Sequence, residues 1–96
     1  MDYVFEWDPD KARRNKKQHG ISFEQAAMVF KDPKAISMYD TEHSKGEDRW
    51  VTLGLSVNHG LVVVCHTFQW ISKSAARIRI FSSRKATRQE RQQYSE

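Results

Sequence analysis

Apolar and polar positions change period several times along the chain, and each change marks an element. Tyr3, Phe5 and Trp7 recur at every second position, which predicts a short first strand over Tyr3–Trp7. Asp8-Pro9 then starts a helix. Asp8 supplies a cap for free backbone N–H groups, and Pro9 suits the first helical position because its missing N–H would be unpaired there anyway. This helix should reach about Gln18, with Gly20 closing it in a left-handed conformation. Its inner face is poor, with only Ala12 apolar. Ser22-Phe23-Glu24-Gln25 reads as a capping box, and Phe23, Ala26, Ala27 and Phe30 follow at helical spacing until Asp32-Pro33 ends the run. Strands are predicted over Ala35–Tyr39, Arg49–Ser56, Leu61–Phe68 and Ala75–Ser82. Asn58-His59-Gly60 is a tight turn that makes a hairpin of the second and third of these, and polar Asp40–Asp48 is a loop. A second capping box, Thr87-Arg88-Gln89-Glu90, opens a terminal helix to about Tyr94.

The expected order is β-α-α-β-β-β-β-α. Helices first and a run of strands after them indicate an α+β fold, mainly antiparallel, with helices on one face of the sheet and the other face open. The 96 residues suffice for one domain and one modest core, spanning 1–96. An aromatic share of 11% argues against disorder, because disordered chains lack large apolar groups to bury. The acidic N-terminus is not a signal peptide, and no apolar run approaches the roughly 20 residues that span a bilayer, so no membrane association and a cytoplasmic location are expected. Cys65 stands alone within an apolar run, which excludes an internal disulfide and reads as a buried, inert thiol.

The net charge of +4 is mild, but its distribution is not. Residues 73–96 carry seven basic and two acidic side chains, whereas the rest of the chain is nearly balanced. In the last strand Ile78 and Ile80 alternate with Arg77 and Arg79. Isoleucines against the helices put both arginines on the open face, with Arg84 and Lys85 beyond them in the turn before the last helix. Cations this close suit an anion between them, and the planar fork of arginine suits phosphate. A charged edge that deters aggregation is the plainer alternative. Five basic residues of the first helix form a second candidate patch, or simply a solvated face.

His66 is not placed by periodicity, because its strand is apolar on both faces. On the face of Arg79 it would complete the chemistry of a metal-free ribonuclease: an imidazole takes the 2′-OH proton, an arginine stabilises charge on phosphorus, and an acid protonates the leaving oxygen. No His and carboxylate spacing resembles a metal site, and no cofactor is implied. Arg49 opens its strand and either joins the cluster or pairs with Glu47. Tyr94 is a candidate acid or substrate contact, or a packing residue. Trp7, Trp50 and Trp70 read as core or core edge, with Trp70 a candidate for stacking on a base.

Phe5-Glu6-Trp7-Asp8, Lys11-Ala12, Asn15, Lys17, His19-Gly20-Ile21, Phe23, Ala26, Phe30, Asp32-Pro33, Arg49 and Gly54 together resemble the BrnT toxin family of type II toxin–antitoxin systems. The tail strengthens the resemblance, with Arg77 through Thr87 and then Glu90-Arg91 and Tyr94. It covers essentially the whole chain, with Phe81-Ser82-Ser83-Arg84 where many members have Ile-Ser-Ala-Arg. The resemblance implies a RelE-like fold and a ribonuclease that inhibits translation by cleaving RNA. It also implies neutralisation by a BrnA antitoxin whose ribbon-helix-helix domain binds promoter DNA, in a 2:2 assembly. It points to Arg79 and Arg84 for phosphate and transition-state charge, to Arg77, Lys85 and Arg49 for holding RNA, and to His66 and then Tyr94 for proton transfer. Two other functions compete: a non-catalytic nucleic-acid-binding or regulatory module, and a degenerate toxin retained as antitoxin scaffold and co-repressor.

Overall fold

A computed structural model describes residues 1–95. The elements are β1 (Asp2–Glu6), α1 (Pro9–His19), α2 (Phe23–Ala27) running into a 3₁₀ turn (Met28–Lys31), β2 (Ile36–Tyr39), β3 (Arg49–Ser56), β4 (Gly60–Thr67), β5 (Gln69–Ser72), β6 (Ala75–Lys85) and α3 (Arg88–Ser95). The expected order stands, with short β5 added between β4 and β6. The sheet runs β1-β6-β4-β3-β2, with β5 also on β6. Only β1 against β6 is parallel among these pairings.

The helix ends form as their sequences dictate. The Asp8 carboxylate accepts from the Asp10 N–H, and Gly20 sits at φ 74° with its N–H on the Lys16 carbonyl. The Ser22–Gln25 capping box is complete. α1 compensates for its poor apolar face with Asn15, which is only 6% exposed. The Asn15 amide donates to Ser83 Oγ and the Ile21 carbonyl, and its oxygen accepts from the Ser83 N–H. One side chain thus fastens α1 to β6 and satisfies a backbone donor.

Two cores lie on opposite faces of the sheet. Ile21, Phe23, Ala26 and Val29 pack with Val62, Val64, Ile78 and Ile80 on the face covered by α1 and α2. On the other face Leu53, Val63 and Ala86 form a smaller cluster that takes in Tyr94. The first two helices therefore share one face, as expected, while α3 closes over part of the opposite one. Strand β6 continues through Arg84 and Lys85, which are ladder residues rather than turn residues. A bulge interrupts it: Cys65 faces Ser82 but His66 faces Ile80, so Phe81 is an extra residue. Alternation resumes one residue later, so Ile80 and Ser83 are both buried.

Candidate functional site

The uncovered half of the second face carries the cations. Arg49 of β3 pairs with Thr67 of β4 in register, and the Arg79 N–H of β6 donates to Thr67 Oγ1. Arg49 and Arg79 therefore stand at one level, two strands apart, with backbones roughly 10 Å from each other. The bulged Phe81 fills the space between them. Its ring centroid lies 4.2 Å from the Arg49 guanidinium carbon, 5.0 Å from that of Arg79 and 5.4 Å from Lys11 Nζ at the edge of α1. Cations gathered over a π face gain from its quadrupole. Arg49 Nε is buried without a hydrogen-bond partner among the described residues.

A carboxylate joins this group from the polar loop. Glu47 accepts from Arg79 Nη2 with both oxygens, at 2.7 and 2.6 Å, and lies 3.6 Å from Arg49 Nη2. Arg77, two residues along the strand, approaches Glu6 at 3.8 Å. The polar hollow between them is lined by Glu6, Glu47, Thr67, Phe68, Arg77 and Arg79. These side chains are roughly half exposed, so their charges are accessible to a ligand.

The other expected site residues are held elsewhere. Arg84 donates to both Glu90 oxygens at 2.8 and 3.0 Å, and Glu90 also accepts the Thr87 N–H. The hydrogen bonds from Arg84 hold the Glu90 carboxyl at about 2, against the opposing effect of burial. Four residues of strand, one of them the bulged Phe81, separate Arg84 from Arg79, a span of roughly 13 Å. Lys85 is exposed at the end of β6. Tyr94 packs on the small core, and its hydroxyl donates to Asp32 Oδ2 at 2.6 Å. Asp32 also accepts the Leu55 N–H, so Tyr94 reaches the far end of β3, roughly 20 Å from Arg49. That hydrogen bond raises the Tyr94 hydroxyl above its ordinary value.

His66 lies beneath the helices, not among the arginines. It is 2% exposed and meets the edge of Phe30 at 4.7 Å. Both ring nitrogens are engaged, Nδ1 with the Thr67 carbonyl at 2.8 Å and Nε2 with Thr52 Oγ1 at 2.6 Å. Burial pushes its pKa down, so the ring is neutral at physiological pH. The structure thus brings together Arg49, Arg77 and Arg79, and leaves His66, Arg84, Lys85 and Tyr94 outside the group. It adds Lys11 from the basic run of the first helix, Glu47, expected from sequence only as a partner of Arg49, and Phe81, which local sequence pattern does not single out. Among the described residues no three His, Cys, Asp or Glu side chains gather to hold a metal. Among the described residues no helix is long and apolar enough to cross a membrane.

The fold is α+β, with Arg49, Arg77 and Arg79 exposed together at one open end of the sheet. The family model "Ribonuclease toxin, BrnT, of type II toxin-antitoxin system" matches residues 7–90. The chain belongs to that family. Its fold resembles the crystal structure of the Brucella abortus ribonuclease toxin BrnT, with a TM-score of 0.59 and 19% identity over 92% of this chain and 100% of that one. No curated protein sequence matches.

Proposed function

We propose that this protein is a metal-independent endoribonuclease toxin that cleaves RNA in the cytoplasm and so inhibits translation. The observation that carries this reading is Glu47, an anion already held by Arg79 with Arg49 close beside it. An RNA phosphate replaces that carboxylate, with Arg77 and Lys11 on the neighbouring phosphates and Lys85 farther along the backbone. The ribose 2′ oxygen then bonds to the adjacent phosphorus as the bond to the 5′ oxygen breaks, leaving a 2′,3′-cyclic phosphate and a 5′ hydroxyl. Arg79 and Arg49 stabilise the charge that builds on the non-bridging oxygens. The displaced Glu47 takes the 2′-OH proton, and water returns one to the leaving oxygen.

His66, first in line from the sequence for proton transfer, has no free nitrogen where it lies. Arg84 and Tyr94 are assigned to fastening α3 rather than to the reaction. The partner is a BrnA-like ribbon-helix-helix antitoxin in a 2:2 heterotetramer, which masks the cationic end and carries the complex to promoter DNA. The experiment is digestion of a defined RNA by purified protein in EDTA, with the ends mapped. Undiminished cutting and cyclic phosphate ends are expected. A strict Mg²⁺ requirement refutes the metal-free mechanism, and intact RNA at protein excess makes the chain a binding module instead.

A further inference from the structure

A second concavity adjoins the cationic hollow across Phe68, which lines both. Its volume is about 380 Å³, and the rings of Tyr3, Phe30, Trp50, Phe68 and Trp70 wall it. Trp70 is 57% exposed and stands edge-on to Phe68 at 5.2 Å. Flat, accessible aromatic walls accept another flat ring. Trp50 follows Arg49 directly in β3 and so points to the other face, which leaves cleft and cations on opposite faces of one sheet end, joined around its edge at Phe68.

The polar side of the cleft has a fixed direction. A carbonyl only accepts, so the contact of His66 Nδ1 with the Thr67 carbonyl places the ring proton on Nδ1. In the neutral ring Nε2 is then an acceptor, and the Thr52 hydroxyl donates to it. Thr52 has no second hydrogen, so Ser37 donates across the 2.7 Å contact between the two hydroxyls. Ser37 lines the cleft, and toward a ligand its oxygen offers only lone pairs. The ligand that fits is planar and aromatic, with an N–H on its edge. Adenine, cytosine and guanine present an amino group, and uracil presents its ring N–H.

We propose that this cleft binds one nucleobase of the RNA, stacked against Trp70 and donating to Ser37 Oγ, while the RNA passes around the sheet end at Phe68 to the phosphate held by Arg77 and Arg79. The proposal rests on the RNA-cleaving reading above, and the two fail separately. A chain that cuts RNA but ignores nucleosides loses only the cleft. A chain that binds nucleosides but leaves RNA intact loses only the cleavage.

The test is quenching of tryptophan fluorescence by neutral nucleosides, with a non-cleavable 2′-O-methyl oligonucleotide as the longer probe. Adenosine should bind about tenfold better than purine riboside, which lacks the amino group, and uridine better than 3-methyluridine. Ser37→Ala, on an exposed strand, should erase both preferences. Trp70→Ala should weaken nucleoside and oligonucleotide binding by about tenfold. No quenching by any nucleoside, or wild-type binding by both variants, overturns the proposal. So does shielding of Trp70 by the antitoxin alone, which would make the cleft a protein-docking groove.

Discussion

Replacing Arg79 or Arg84 with alanine should separate chemistry from stability, although both residues stand in β6 and both are phosphate candidates by sequence. The Arg79 side chain is 42% exposed and its partner Glu47 is 41% exposed. A pair this open is screened, so Arg79→Ala should change stability by only about 0–1 kcal/mol. If Arg79 bears on the transition state, its loss should slow cleavage by about 10²- to 10³-fold, the usual effect of removing one preorganised donor. Arg84 is tied to Glu90 by two hydrogen bonds, with Glu90 26% exposed, and stands across from buried Val63. After discounting for solvent, the ion pair contributes about 1 kcal/mol, and the packed stem adds somewhat less. Arg84→Ala should therefore cost about 1–2 kcal/mol, a fall in Tm of roughly 5–15 °C for a chain of this size. Below that lowered Tm its cleavage rate should stay within about threefold of wild type. Initial cleavage rates on one RNA, paired with thermal melts, read both effects. An Arg84→Ala protein that melts like wild type but does not cut refutes the assignment, as does an Arg79→Ala protein that cuts at the wild-type rate.

Glu47→Gln removes the resident anion and should tighten RNA binding several-fold while slowing cleavage by about 10²-fold; filter binding and single-turnover rates check this, and weaker binding contradicts it. Gly54→Ala should destabilise by about 1–3 kcal/mol, because a Cβ there would lie 3.0 Å from Val29 Cβ and 3.2 Å from both Ala35 Cβ and the Val29 carbonyl; an unchanged Tm would show that the 3₁₀ turn yields freely. Burial lowers the folded pKa of His66, so the unfolded chain takes up the proton first as pH falls. The stability His66 contributes is thus complete above about pH 6.5 and declines below it, and His66→Gln should flatten the Tm drop between about pH 7.5 and pH 5.5. Glu90, held at about 2, adds a separate loss as pH falls from about 4.5 toward that value, and Glu90→Gln should abolish it in acid melts.

Much of this architecture is legible in local pattern. The caps at Asp8, Gly20 and Ser22 form as their residue types require. Alternation in β6 correctly places Arg77 and Arg79 opposite Ile78 and Ile80. The limits have physical causes. The strand holding His66 is apolar on both faces because each face covers a core, so no period chooses its side. β5 is four exposed residues whose two apolar members, Trp70 and Ile71, are adjacent and so show no alternation. Asn15 looks like a solvated helix residue until β6 brings Ser83 to it across 68 positions of chain. Glu47 reaches Arg79 only through closure of a loop, which sequence spacing does not encode.

The extra residue at Phe81 divides β6 into two reading frames. Before it, even-numbered side chains enter the larger core; after it, odd-numbered Ser83 does. A change of length elsewhere in the strand shifts everything downstream, but at the bulge the unpaired residue can absorb it. Deleting Phe81 would let Ile80 and Ser82 pair consecutively with His66 and Cys65, so Ser83 would stay on Asn15 and Arg84 on the side of α3, while the ring between Arg49 and Arg79 would be lost. The strand that bears Arg77 and Arg79 should therefore keep its fold when this one residue is lost, and give up only the aromatic face that gathers its cations.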